Sequence, residues 1–65
     1  MPSSVIARYE YHVQSAVLRV VFVSGMVYDY KDVPESVYQA MKKSKSKGIF
    51  LNQHIKGVYD FSRVE

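Results

Sequence analysis

No cysteine occurs anywhere in the 65 residues. Neither a disulfide framework nor a thiolate metal site can therefore support the fold, and apolar packing has to hold it. That absence fits a reducing compartment. Long apolar runs are missing too: no segment approaches the ~20 residues of a membrane span. The opening Met-Pro-Ser-Ser-Val-Ile-Ala-Arg lacks a basic stretch leading into an apolar one. A soluble, cytoplasmic protein without a membrane partner is expected. With only His12 and His54, a zinc site would need carboxylates at unsupported spacing, so neither a metal nor another cofactor is expected. The three glycines stand singly at turns, which excludes a phosphate-cradling loop. No Ser-His-Asp order and no paired carboxylates in apolar surroundings occur. A chain of this length has little room for both a core and a substrate pocket of ~300 Å³, so no catalytic residue is assigned and no enzyme is expected.

Acids are scarce where bases are dense. Nine Lys and Arg face six Asp and Glu, yet without Lys42, Lys43, Lys45 and Lys47 five bases would face six acids. The whole positive excess lies in the stretch AMKKSKSKG, residues 40–48, which contains no acid. Apolar residues at 48% and aromatics at 14% argue against disorder. Six of the nine aromatics are tyrosines, which suit a thin core whose edges reach water. One domain spanning 1–65 is expected, of modest stability, because a chain this short buries only about 60% of its unfolded surface.

Alternation places a first strand at 5–11, a polar turn at 12–15 and a stronger strand at 16–23, with Leu18, Val20 and Phe22 on one face and Arg19 on the other. Ser24-Gly25 reverses the chain into a third strand, 26–30, in one of two registers. A two-residue turn pairs Val23 with Met26 and sets Tyr28 and Tyr30 beside Arg19 and Val21. A three-residue loop with Gly25 left-handed pairs Phe22 with Met26 and turns both tyrosines toward the core. The second is favoured, because a two-residue turn wants glycine first, or Asn or Asp before it. Pro34 is expected at the first position of a helix, where a missing N–H costs nothing, with Glu35 at the positive end of the dipole. Val37, Tyr38 and Met41 form its apolar stripe, and the helix ends near Ser44 or Lys45, with Gly48 breaking it at the latest. A short helix over about 49–56 turns Phe50 and Ile55 inward and stops at Gly57. Residues 58–64 are extended and can add a fourth strand. The expected class is α+β: a three-stranded antiparallel meander packed on one helix plus a second short helix, in the order β-β-β-α-α.

These residues resemble the KTSC domain family, a module found alone in bacterial and phage proteins and at the C-terminus of some lysyl-tRNA synthetases. The resemblance rests on Ser3-Ser4 with Ile6, on Leu18, Val20 and Phe22 ahead of Gly25, on Tyr28-x-Tyr30, on Val33-Pro34, and on Ser46-x-Gly48-x-Phe50-Leu51-Asn52 with Ile55. Glu10 stands where the family usually has a small residue, and Leu51 where it often has an aromatic one. The resemblance implies no catalytic or binding residue. Through the synthetase association it implies RNA as a partner. Tyr28, Tyr30, Gly25, Gly48, Phe50 and Asn52 are landmarks of structure.

Each candidate has a plain reading beside the functional one. Lys42 and Lys43 suit a helix C-terminus, and Lys45 and Lys47 a solvated loop. Yet a single-sign cluster also gathers phosphates, and with Lys56 or Arg63 it could contact about four. Tyr59 and Phe61, on an edge strand, could stack on unpaired bases, whereas Tyr28 and Tyr30 read as core. Asn52 reads as a buried residue tying its helix to nearby backbone rather than as a base reader, and His54 as solvent-facing. The expected function is a non-enzymatic module binding RNA through phosphates. The rival is a protein-interaction or self-assembly module, docking a partner or a second copy on a strand edge or on Val17, Val21 and Val23 around Arg19.

Overall fold

A computed structural model describes residues 5–64, and the Ser3-Ser4 landmark lies outside them. Strands β1 (Ile6–His12), β2 (Val17–Phe22) and β3 (Val27–Tyr30) are followed by helix α1 (Glu35–Lys43). A second helix then combines an α-helical turn, α2 (Lys47–Phe50), with a π-helical stretch (Leu51–Ile55), and β4 (Phe61–Arg63) ends the series. The strands form one antiparallel sheet in the order β1-β2-β3-β4. This is the expected α+β meander, with the C-terminal strand added beside β3.

Gly25 decides which side chains the sheet buries. Its φ of +98° is a conformation that a side chain disfavours. The Phe22 N–H donates to the Met26 carbonyl and the Gly25 N–H to the Phe22 carbonyl, each at 2.9 Å. The loop is therefore the three-residue one, and Leu18 faces Tyr30 while Val20 faces Tyr28. Tyr30 is fully buried and Tyr28 half-buried. Burial, and secondarily the neighbouring Tyr28, push the Tyr30 phenol above its ordinary pKa.

Leu18, Val20, Tyr30, Val33, Met41, Leu51 and Ile55 form the core, so both helices lie on one face of the sheet. Val33 is pinned from two sides. Its N–H donates to the Ala16 carbonyl at 2.8 Å, and its carbonyl accepts from the Tyr11 hydroxyl. Pro34 is not the first helical residue, as expected, but the residue before it: its ψ of 149° is extended, and its carbonyl accepts the N–H groups of Val37 and Tyr38. The Tyr38 ring lies over β1, stacked on Tyr11 at 4.7 Å and edge-on to Tyr9 at 6.1 Å.

The opposite face of the sheet carries Arg8, Glu10 and His12 of β1, Val17, Arg19 and Val21 of β2, and Val27 and Asp29 of β3. Arg19 grips its cross-strand partner Asp29 with two hydrogen bonds, Nε to Oδ1 at 2.7 Å and Nη2 to Oδ2 at 2.9 Å. These bonds, and the guanidinium charge behind them, hold the Asp29 carboxyl below its ordinary pKa despite an opposing effect of burial. A depressed folded pKa stabilises above the unfolded value of about 4 and is lost as pH falls through the folded one. The urea midpoint of the wild type should therefore exceed that of Asp29→Asn at pH 7, and the gap should close toward pH 3. A gap of equal size at both pH values would rule this out.

Candidate functional site

The lysine stretch is the joint between the two helices. Helix α1 stops because Ser44 turns extended, at φ −70° and ψ 150°. Its N–H and its hydroxyl both donate to the Met41 carbonyl, at 3.1 and 2.7 Å. Two residues on, the Ser46 hydroxyl accepts the Ile49 N–H at 3.3 Å and caps the start of α2. Between these caps the Lys47 ammonium reaches back and donates to the Ser44 carbonyl at 2.7 Å and the Lys42 carbonyl at 3.1 Å. Carbonyls that the helix end leaves without partners are thereby satisfied. The first helix thus ends at Ser44, as expected, before Gly48 is reached. Gly48 is buried inside α2, which begins at Lys47 rather than near residue 49, because serines on both sides of Lys45 interrupt the backbone first.

The cluster therefore divides. Lys47 is committed to backbone carbonyls, and the Lys42 ammonium lies 5.4 Å from the Tyr38 ring centroid, a cation–π contact that leaves it wet. Lys43 and Lys45 are exposed, and among the described residues neither ammonium has a hydrogen bond or an ion pair. Lys56 and Arg63 lie elsewhere. Lys56 ends the π-helical stretch, its N–H on the Leu51 carbonyl at 2.8 Å and its ammonium 5.9 Å from the Phe22 ring centroid. Arg63 sits on β4 opposite Tyr28. The second helix separates Lys56 from the lysines of the joint.

The aromatic candidates also part. Tyr59 is half-buried and packs against the core. Phe61 is 52% exposed and stacks on Tyr28 at 4.9 Å. Phe50 is half-buried against the exposed His54, with ring centroids 4.6 Å apart. Asn52 is exposed, against the expectation of a buried tie: the π-helical stretch turns its side chain outward.

Charge is segregated by layer. No acid occurs between Glu35 and Asp60, so residues 35–56 hold five lysines and one glutamate. The remaining described residues hold four bases, Arg8, Arg19, Lys31 and Arg63, and four acids, Glu10, Asp29, Asp32 and Asp60. The Arg19–Asp29 ion pair and the contact of His12 Nε2 with Glu10 Oε1 at 3.8 Å both lie on the open sheet face. Among the described residues, no lysine of residues 35–56 is neutralised by a carboxylate. Sequence reasoning put Ser44 at the helix end, Ser46 among the landmarks and Phe22 on the core face, but gave none of them a part in the site. A serine three residues before the Ile49 amide is a helix-start signal, but nothing local announces that Phe22 lies under Lys56.

Residues 2–59 match the KTSC domain. The chain belongs to the KTSC domain family. A KTSC domain protein from Yersinia pestis, known from its crystal structure, has the same fold, with a TM-score of 0.80 and 29% identity over 100% of this chain and 94% of that one. Among curated proteins, a lysine–tRNA ligase of Nostoc punctiforme is 38% identical over 61 residues, and one of Trichormus variabilis is 33% identical over 61 residues. This KTSC chain spans 11% of the length of each ligase, and 94% of the chain is aligned. Among the described residues, no helix is long and apolar enough to cross a membrane, and no group of three His, Asp or Glu side chains could hold a metal ion.

Proposed function

We propose that this KTSC domain binds RNA through its phosphates, by way of the lysines on its helical layer. The observation that carries the reading is the segregation of charge: five lysines against one glutamate in residues 35–56, none of them in an ion pair among the described residues. Surfaces that serve solubility alone mix both signs, whereas a single-sign layer collects polyanions. The two related ligases bear the name of a tRNA-acting enzyme, which makes RNA the fitting polyanion. Lys42, Lys43 and Lys45 are the principal contacts and Lys56 the outlying one. Lys47 contributes charge, but its ammonium is held by the Ser44 and Lys42 carbonyls. Recognition is of charge and backbone shape.

Four phosphate contacts on a single strand give a log–log slope of affinity against salt of about −3. A fluorescence anisotropy titration of an unstructured RNA from low to moderate salt should show that slope. No binding at low salt, or a slope near zero, would refute the reading. A second reading rests on the open sheet face, where the half-buried Val17 and Val21 flank Arg19 and the Arg19–Asp29 pair satisfies its own charges, while Val23, 65% exposed, lies in the loop beyond β2. Such a face suits a protein partner or a second copy. Self-association in sedimentation that salt fails to disperse is the mark of that alternative.

A further inference from the structure

At the hairpin end of the sheet the helical layer leaves an open groove of about 280 Å³, lined by Phe22, Met26, Tyr28, Asn52 and Lys56 among others. Its floor is aromatic. Phe22 meets Tyr28 edge-on at 5.3 Å, and Tyr28 in turn stacks at 4.9 Å, with 22° between the planes, on the half-exposed Phe61, which lies beside the groove rather than in its lining. Three rings thus form a row across β2, β3 and β4. One border is cationic: the Lys56 ammonium stands 5.9 Å from the Phe22 ring centroid. No carboxylate lines the groove. The exposed Asn52 adds an amide with both donor and acceptor capacity.

Flat apolar rings flanked by positive charge suit one kind of occupant, a planar π-system carrying an anionic backbone. Phosphates alone gain nothing from the rings, and an apolar peptide gains nothing from Lys56. We infer that this end of the sheet takes an unpaired nucleobase, stacked on the exposed ring of Phe61 that ends the row, with the adjoining phosphate on Lys56 at the groove. The inference rests on the phosphate reading above and adds to it a class of substrate: a single strand rather than a duplex, whose bases are already stacked on one another.

The test compares an oligouridine of about ten nucleotides with an RNA duplex of the same length. The single strand should bind more tightly. Phe61→Leu, which keeps apolar bulk but removes the ring, should weaken the single strand about tenfold or more, as loss of one base-stacking contact does. Phe61→Tyr should retain affinity, and neither change should alter binding of the duplex. Ring-proton signals of Tyr28 and Phe61 should shift on titration with the oligouridine. Unchanged oligouridine affinity in Phe61→Leu overturns the inference whichever probe binds better, and if both RNAs bind, the phosphate reading stands. If neither RNA binds at low salt, both fall together.

Discussion

Replacing Lys42, Lys43 and Lys45 with glutamate is expected to lower RNA affinity at least about a hundredfold near 0.1 M salt. Each phosphate contact on a single strand releases about 0.7 counterion, worth roughly fivefold at that concentration, and three contacts compound to about a hundredfold before any repulsion is added. Glutamate also changes the sign of the helix joint, so anions are repelled where they were gathered. The substitutions touch little of the fold, because all three side chains are exposed and glutamate is nearly as good a helix former as lysine. Acids at a helix C-terminus do cost about 0.3–1 kcal/mol each, so the Lys→Gln counterpart should be measured beside the reversed one. The glutamine variant should lose most of the same affinity while unfolding at nearly the wild-type urea concentration. Lys47 is kept, because its ammonium holds two carbonyls of the joint and its loss would confuse binding with folding. Affinity within about threefold of wild type in the reversed variant would remove the lysines from the binding surface.

Leu51→Ala is expected to cost about 2–5 kcal/mol, the range for a large-to-small change in a closed core. The total stability of a 65-residue chain is about 3–10 kcal/mol, so this one change should consume much of it. Leu51 carries that weight because only it and Ile55 are fully buried apolar side chains of the second helix, and both pack beneath it with Leu18, Val20, Tyr30 and Met41. Ile49→Ala is the control. Its side chain is half-exposed on the same helix, and its loss should move the urea midpoint little. A loss below about 1 kcal/mol in Leu51→Ala would mean that the second helix is not anchored through this residue.

The sheet was readable in the sequence because its causes are local. A period of two separates Leu18, Val20 and Phe22 from Arg19, and one glycine before Met26 selects the loop and hence the side on which Tyr28 and Tyr30 fall. The helix joint was not readable to the same depth. Its break depends on where two serine hydroxyls find backbone groups, and Lys47 closes it by reaching back across three and five residues. Asn52 illustrates a second limit. The stretch Leu51–Ile55 is π-helical, so α-helical spacing does not describe which of its residues face the core, and Asn52 lies in water. No pattern in Leu-Asn-Gln-His-Ile marks that extra backbone slack. The lysines were conspicuous as a run, but their allotment to a carbonyl cap, a tyrosine ring and open water is a matter of three-dimensional reach.

A body with five ammonium groups on one layer and balanced charge on the other is an electric dipole as well as a small cation. In the field of any strongly anionic surface it experiences a torque before contact, which turns the helices forward and the valine-rich side away. Collisions then arrive already aligned, so capture should be quick at low ionic strength and slow markedly once counterions blur the field. That orienting effect needs only the placement of the charges and operates whatever the anion.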